Sequence, residues 1–176
     1  MKPNASATWV GGPSRGKGVI TTESGALSQT RYFPIGHAKG KGSSPYELIA
    51  AAHAACFSTA LAHELAEANF SPQRIEATAT LTLESLAAGW TITAIQLDVV
   101  AEVPRAKQGD FIQAAVRAKT NCTISRLLKT NISMSAKLEN SGTRTPDEVR
   151  RRTDSRNVSE AHKQSISRSS PKALNE

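Results

Sequence analysis

Two cysteines, Cys56 and Cys122, are all that the 176-residue chain contains. That is too few for the disulfide framework that staples small secreted domains. The four histidines are too dispersed to complete a zinc ligand set. His53 and His63 flank Cys56 but miss the i, i+4 spacing of a helical histidine pair. No resident metal or cofactor is expected. Aromatic residues make up 5% of the chain, so the core must rest on aliphatic side chains and alanine. No apolar run approaches the ~20 residues of a membrane span. The first ten residues, MKPNASATWV, lack the apolar segment of a secretory leader. The expectation is a cytoplasmic protein with no membrane partner and reduced thiols. The net charge of +7 is diffuse: residues 1–140 carry 14 basic and 10 acidic groups, and residues 141–176 carry 8 and 5. Neither portion calls for nucleic acid as a partner.

What is present centres on residues 44–69, SPYELIAAAHAACFSTALAHELAEAN. Ser44 suits the N-cap, Pro45 the first helical position, and Glu47 completes a capping-box pattern. Leu48, Ala52, Ala55 and Thr59 recur at helical spacing, with Ile49, Cys56 and Ala60 on an adjoining stripe. Asn69 and Pro72 supply the stop. Six alanines between Ala50 and Ala60 let neighbouring backbones come close. The expectation is a central, buried helix with a thiol on it.

Before it, residues 5–10 and 18–23 form a hairpin across the Gly11-Gly12-Pro13-Ser14 turn, and a third strand lies within residues 29–35. After it, Ile75, Ala77, Ala79, Leu81 and Leu83 alternate with polar residues, and a second alternating run spans 92–100. Such period-two patterns predict antiparallel strands with one covered face. Residues 110–119 form an amphipathic helix, a short helix starts at Cys122, and 132–138 is a final strand. From residue 141 onward only Val149, Val158, Ile166 and Leu174 are large and apolar. Such a segment buries too little to offset its ordering entropy. The predicted division is a domain over 1–140 and a polar, basic, disordered tail over 141–176.

Two thiols 66 residues apart are either a redox pair or two unrelated buried side chains. A redox pair would have one thiolate attack a peroxide O–O bond and a second thiol close the disulfide. Cys122 stands near a helix start, where the dipole favours a thiolate. Cys56 lies about three turns into its helix and needs a cation from elsewhere. Glu47 precedes Cys56 by nine residues, about 13–14 Å of rise and about half a turn beyond two full turns. The two therefore face opposite sides of one helix. Glu47 is either only a capping residue or faces a cysteine of a second chain.

The segments TWVGGPSRGKGVITTESGAL, SSPYELIAAAHAACFSTAL and AKTNCTIS together resemble the OsmC branch of the OsmC/Ohr peroxidases, over residues 5–139. The resemblance implies an α+β fold of antiparallel sheets wrapped around long central helices, in an intertwined homodimer. It implies reduction of organic hydroperoxides, in preference to hydrogen peroxide, at sites on the dimer interface and with an external dithiol reductant. Carried over by motif, Cys56 is the peroxidatic thiol, Cys122 the resolving thiol, and Glu47 the glutamate that pairs with an activating arginine. The family places that arginine where this chain has Gly36 or His37. Arg31 is the chosen substitute, with Arg15 and His37 as alternatives. Relatives also often have Gly-Cys-Pro where this chain has Asn121-Cys122-Thr123. Ile49, Phe57 and Phe111 are candidate walls of an apolar substrate pocket. The competing reading is a non-catalytic thiol sensor or binding module on the same scaffold.

Overall fold

The computed structural model describes residues 1–12, 15–34 and 42–139; His37, Gly36 and the 141–176 tail lie outside the described residues. Three short strands open the chain: β1 (Ala5–Val10), β2 (Lys17–Thr22) and β3 (Thr30–Tyr32), antiparallel in the order β1-β2-β3. Gly18 sits opposite both Trp9 and Tyr32 in this sheet. A Cβ at Gly18 would meet the Tyr32 ring at 2.4 Å, so only glycine lets that ring lie across the strand. The Trp9 and Tyr32 rings pack with centroids 5.8 Å apart. Every residue of β1 is nevertheless exposed.

Helix α1 (Pro45–Glu67) starts as its sequence requires. Glu47 N–H donates to Ser44 Oγ at 3.1 Å, and Ser44 N–H donates to Glu47 Oε2 at 2.9 Å. Asn69, at φ +59, takes the left-handed conformation that ends the helix. By length and composition α1 could cross a membrane, with a mean hydropathy of 1.2 over its best window. That corrects the expectation that no stretch approaches a span. Its apolar side chains have another use, because Phe57, Leu61 and Leu65 are fully buried in the domain's own core.

The buried face differs from the one expected. His53, Phe57, Leu61, Glu64 and Leu65 point inward, while Ala52, Ala55 and Thr59 are exposed and Leu48 is half-buried. The bulky residues at 57, 61 and 65 bury more area than alanines can, so they win the inward face. The alanine stripe remains open in the single chain.

Strands β4 (Arg74–Leu86) and β5 (Gly89–Glu102) form a long antiparallel hairpin, turning at Ala87-Ala88 with Gly89 at φ +99. Ile95, Leu97, Val99 and Ala101 of β5 are buried. Helices α2 (Gln108–Asn121) and α3 (Thr123–Leu127) then cross over to β6 (Asn131–Leu138). β6 pairs with β5 in parallel, so the second sheet is mixed rather than wholly antiparallel. The intervening helices explain this, since a helical crossover carries the chain back to the end of the sheet where β5 began, so that β6 runs alongside it in the same direction.

A polar clasp at the edge of the core fastens α1 to α2. Glu64, 8% exposed, accepts from Arg117 Nε at 2.7 Å and from Asn121 Nδ2 at 2.7 Å. The Arg117 hydrogen bond, followed by that of Asn121, holds the Glu64 carboxyl below its ordinary pKa. A depressed carboxylate contributes stability above its unfolded pKa and loses it as pH falls through the folded value. Glu64→Gln should therefore destabilise the protein at pH 7, with the gap from the parent closing as pH falls below about 4; urea melts across that range check it. Ser44→Ala should cost about 1 kcal/mol through loss of the cap, read as a lower urea midpoint with an unchanged m value.

Candidate active site

The two thiols meet. Cys122 Sγ lies 3.1 Å from Cys56 Sγ, although the residues are 66 apart in sequence. Cys56 comes from the middle of α1, and Cys122 is the residue between α2 and α3, ending one helix and capping the next. Both are free thiols with different access. Cys56 is half-buried, whereas Cys122 is 1% exposed inside the main core cluster.

Their electrostatics differ as well. Burial, then the hydrogen bond shared with Cys122, pushes the Cys56 thiol above its ordinary value. Backbone N–H groups of Ile124 and Thr123, in the first turn of α3, offset part of that rise. Burial also acts upward on Cys122, but the hydrogen bond shared with Cys56 and the N–H and hydroxyl of Ser125 outweigh it. The net direction for Cys122 is down. One hydrogen between two sulfurs can serve only one thiolate, and the two directions favour Cys122 as that one.

Two more residues stand beside the thiols: His53, read in the sequence only as an unsuitable metal ligand, and Ser125, which the sequence did not single out. His53, one turn before Cys56 on α1, is fully buried and its Nε2 lies 2.8 Å from Ser125 Oγ. Ser125 in turn follows Cys122 by three residues. The available signal was the spacing: His53 and Cys56 share a helix face, as residues three apart do.

The other candidates stand apart from the sulfurs. Glu47 is exposed and its carboxylate is engaged by Ser44 N–H and by Ser43 Oγ, 2.9 Å away. The Arg31 carbonyl accepts from Ser43 N–H at 3.0 Å, which ties β3 to the start of α1. That places Arg31 at Glu47's end of the helix. Its side chain forms no hydrogen bond or ion pair among the described residues, and the same holds for Arg15. Phe57 and Phe111 are fully buried core residues. A cavity of about 570 Å³ is lined instead by Trp9, Gly11, Tyr32, Pro34, Pro45, Tyr46 and Trp90, with neither cysteine in its wall. Among the described residues no three His, Cys, Asp or Glu side chains cluster as metal ligands would.

A family model described as OsmC-like protein matches residues 38–137, which include both cysteines. The peroxiredoxin OsmC of Escherichia coli is 42% identical over 134 residues, covering 76% of this chain and 94% of that protein. The chain belongs to the OsmC-like family. The corresponding peroxiredoxin of Shigella flexneri is similar to the same extent. Among solved structures, an OsmC-like protein of unknown function from Vibrio cholerae superposes with a TM-score of 0.65 at 14% identity, covering 77% of this chain and 99% of that one. The organic hydroperoxide resistance protein OhrB of Bacillus subtilis gives 0.57 at 24% identity, covering 77% and 98%. The fold of the OsmC-like family is thus that of this chain: helices packed with one antiparallel and one mixed sheet.

The electrostatic asymmetry can be measured without any substrate. In single-thiol proteins followed by ultraviolet thiolate absorbance, Cys122→Ala should lower the titration midpoint of Cys56, because the shared hydrogen bond that raises it is gone. Cys56→Ala should raise that of Cys122 by the converse loss.

Proposed function

We propose that the protein is a thiol peroxidase that reduces organic hydroperoxides to alcohols, with Cys56 as the peroxidatic thiol and Cys122 as the resolving thiol. The observation that carries this is the 3.1 Å separation of two sulfurs, one open to approach and one closed off. A peroxide can reach Cys56 and is kept from Cys122. The two curated relatives are named peroxiredoxins, and a solved relative is an organic hydroperoxide resistance protein, which supplies the substrate class.

The Cys56 thiolate attacks the terminal peroxide oxygen, an S–O bond forms and the O–O bond breaks. The departing alkoxide takes a proton and leaves as the alcohol, with Cys56 now a sulfenic acid. The Cys122 thiolate then attacks the Cys56 sulfur; the S–S bond forms, the S–O bond breaks and hydroxide leaves as water. An external dithiol reopens the disulfide by exchange. Cysteine, peroxide and dithiol account for every electron, so no cofactor enters.

The reading includes a homodimer. The open alanine stripe of α1 and the fully exposed β1 are surfaces that a second copy would cover. Glu47 cannot turn back to Cys56 along its own helix. In the dimer, Glu47 and Arg31 would serve a thiol across the interface, with Arg31 supplying the cation that offsets the burial of Cys56. Cytoplasmic location and a role in oxidative or osmotic stress defence complete the proposal. Burial raises the Cys56 pKa in the single chain, an observation that favours a slow thiol sensor as the second reading.

Stopped-flow oxidation of the reduced protein by cumene hydroperoxide separates the two. Peroxidase chemistry predicts rapid consumption, abolished in Cys56→Ser and halted at the sulfenic acid in Cys122→Ser. Consumption no faster than by a free thiol would rule the enzyme out. Arg31→Ala should raise the Cys56 midpoint by about one unit and slow the first step about tenfold near pH 7. Arg15→Ala and His37→Ala should titrate like the parent; if either shifts Cys56 instead, that residue supplies the cation.

A further inference from the structure

The mechanism above leaves one fully buried titratable group without a task. His53 is an imidazole with no exposed surface, on the same helix face as the peroxidatic thiol. Its Nε2 lies 2.8 Å from Ser125 Oγ, and its Nδ1 is buried without a hydrogen-bond partner. An orphaned buried N–H is rarer in folded proteins than an under-satisfied acceptor. The neutral tautomer with its hydrogen on Nε2 is therefore favoured: Nε2–H donates to Ser125 Oγ and the bare lone pair stays on Nδ1. Burial lowers the His53 pKa and keeps the ring in this uncharged form.

The tautomer determines where the Ser125 hydrogen goes. A hydroxyl whose lone pair accepts from His53 is free to turn its own O–H elsewhere. Ser125 is the third residue of α3, whose N-cap is Cys122, so its N–H and hydroxyl stand at the end of the helix that the sulfur caps. The Cys122 side chain makes no cap hydrogen bond to the helix, and the N–H and hydroxyl of Ser125 both act to lower the pKa of that thiol.

We propose that His53 and Ser125 are positioning residues behind the resolving thiol: His53 Nε2–H holds Ser125 Oγ so that the serine hydroxyl hydrogen is presented to Cys122 Sγ, keeping that thiol ready to attack oxidised Cys56. The inference rests on the resolving role of Cys122. Neither residue touches the peroxide, and neither gains or loses a proton overall. The attack itself remains thiolate on sulfenic acid, releasing water. Of the titratable groups around Cys122, α1 contributes Cys56 in direct contact and His53 through Ser125. From α2, Lys119 donates to the Ile132 carbonyl and Arg117 to Glu64, so neither neutralises the sulfur directly.

Two measurements test this and keep its failure distinct from failure of the peroxidase reading. The first needs no catalysis: thiolate absorbance of Cys122 in a Cys56→Ser background, with and without Ser125→Ala. The titration midpoint should rise by about one unit on loss of the hydroxyl, a tenfold drop in thiolate fraction near neutral pH. The second follows cumene hydroperoxide oxidation through its sulfenic acid and disulfide phases across pH. Ser125→Ala and His53→Phe should slow disulfide formation about tenfold at pH 7 and move its pH profile upward by the same unit. Ser125→Thr keeps the hydroxyl and His53→Gln keeps a side-chain N–H, so both should recover most of the parent profile. If His53→Phe does not fold, the Ser125 pair decides alone. An unshifted Cys122 midpoint in Ser125→Ala, or a conservative variant as slow as the deletion, overturns the proposal. Absence of any sulfenic acid would sink the peroxidase reading, while the titration would still decide the placement of Ser125.

Discussion

A hydrogen bond between two sulfurs, 3.1 Å long, joins the middle of α1 to the junction of α2 and α3. To hold it, helices must approach closely at that point and nowhere be forced apart. Ala114, Ala118 and Cys122 recur every four residues along one face and are all essentially inaccessible. Small side chains on that stripe let the α2 backbone settle toward Phe57, Leu61 and Leu65 of α1 within one core cluster. The Glu64–Arg117–Asn121 clasp then adds two polar contacts between the same pair of helices. The thiol pair is thus a consequence of how the core is packed.

Access and ionisation are divided between the sulfurs. Cys56 is the reachable one, yet burial and its neighbour raise its pKa; Cys122 is enclosed, yet the hydrogen bond shared with Cys56, followed by Ser125 and Ile124 of α3, lowers its own. The division suits a resolving thiol, which must be ionised when the sulfenic acid appears and must not be consumed by peroxide itself. It also leaves the first step incomplete within one chain. The open alanine stripe of α1, the exposed β1 strand and the carboxylate of Glu47 at the far end of the helix belong to the same incompleteness. A second copy would relieve all of them at once.

What could be read from the sequence was local. Ser44, Pro45 and Glu47 specify the start of α1 by contacts within four residues, and the alternation at 75–83 specifies a strand by its own period. The partner and direction of β6 were not legible, because an eight-residue period-two pattern is the same in a parallel and an antiparallel neighbour. On α1, alanines and larger apolar residues surround the whole helix. Spacing alone gave no reason to prefer Phe57, Leu61 and Leu65 over Ala52 and Ala55, and only the partner helix and sheet decide it. The cysteines were found because their residue type is rare and reactive. His53 was weighed only as a metal ligand and Ser125 not at all, because their meeting spans 72 residues and nothing local announces it.

The reduced-state geometry also constrains the chemistry of the second step. A disulfide needs sulfurs about 2.05 Å apart, so the pair must close by about 1 Å. Closure of that size lies within side-chain rotation and needs no unfolding of α3. When Cys56 carries a hydroxyl, the space directly between the sulfurs is too short to contain it. The oxygen must point away from Cys122, toward the side by which the peroxide entered. Displacement at sulfur runs in line, nucleophile on one side and leaving group on the other. If Cys56 and Cys122 take the proposed roles, packing that excludes oxygen from the gap places the leaving hydroxide opposite the attacking thiolate, and the contact that organises the core would also align the reaction.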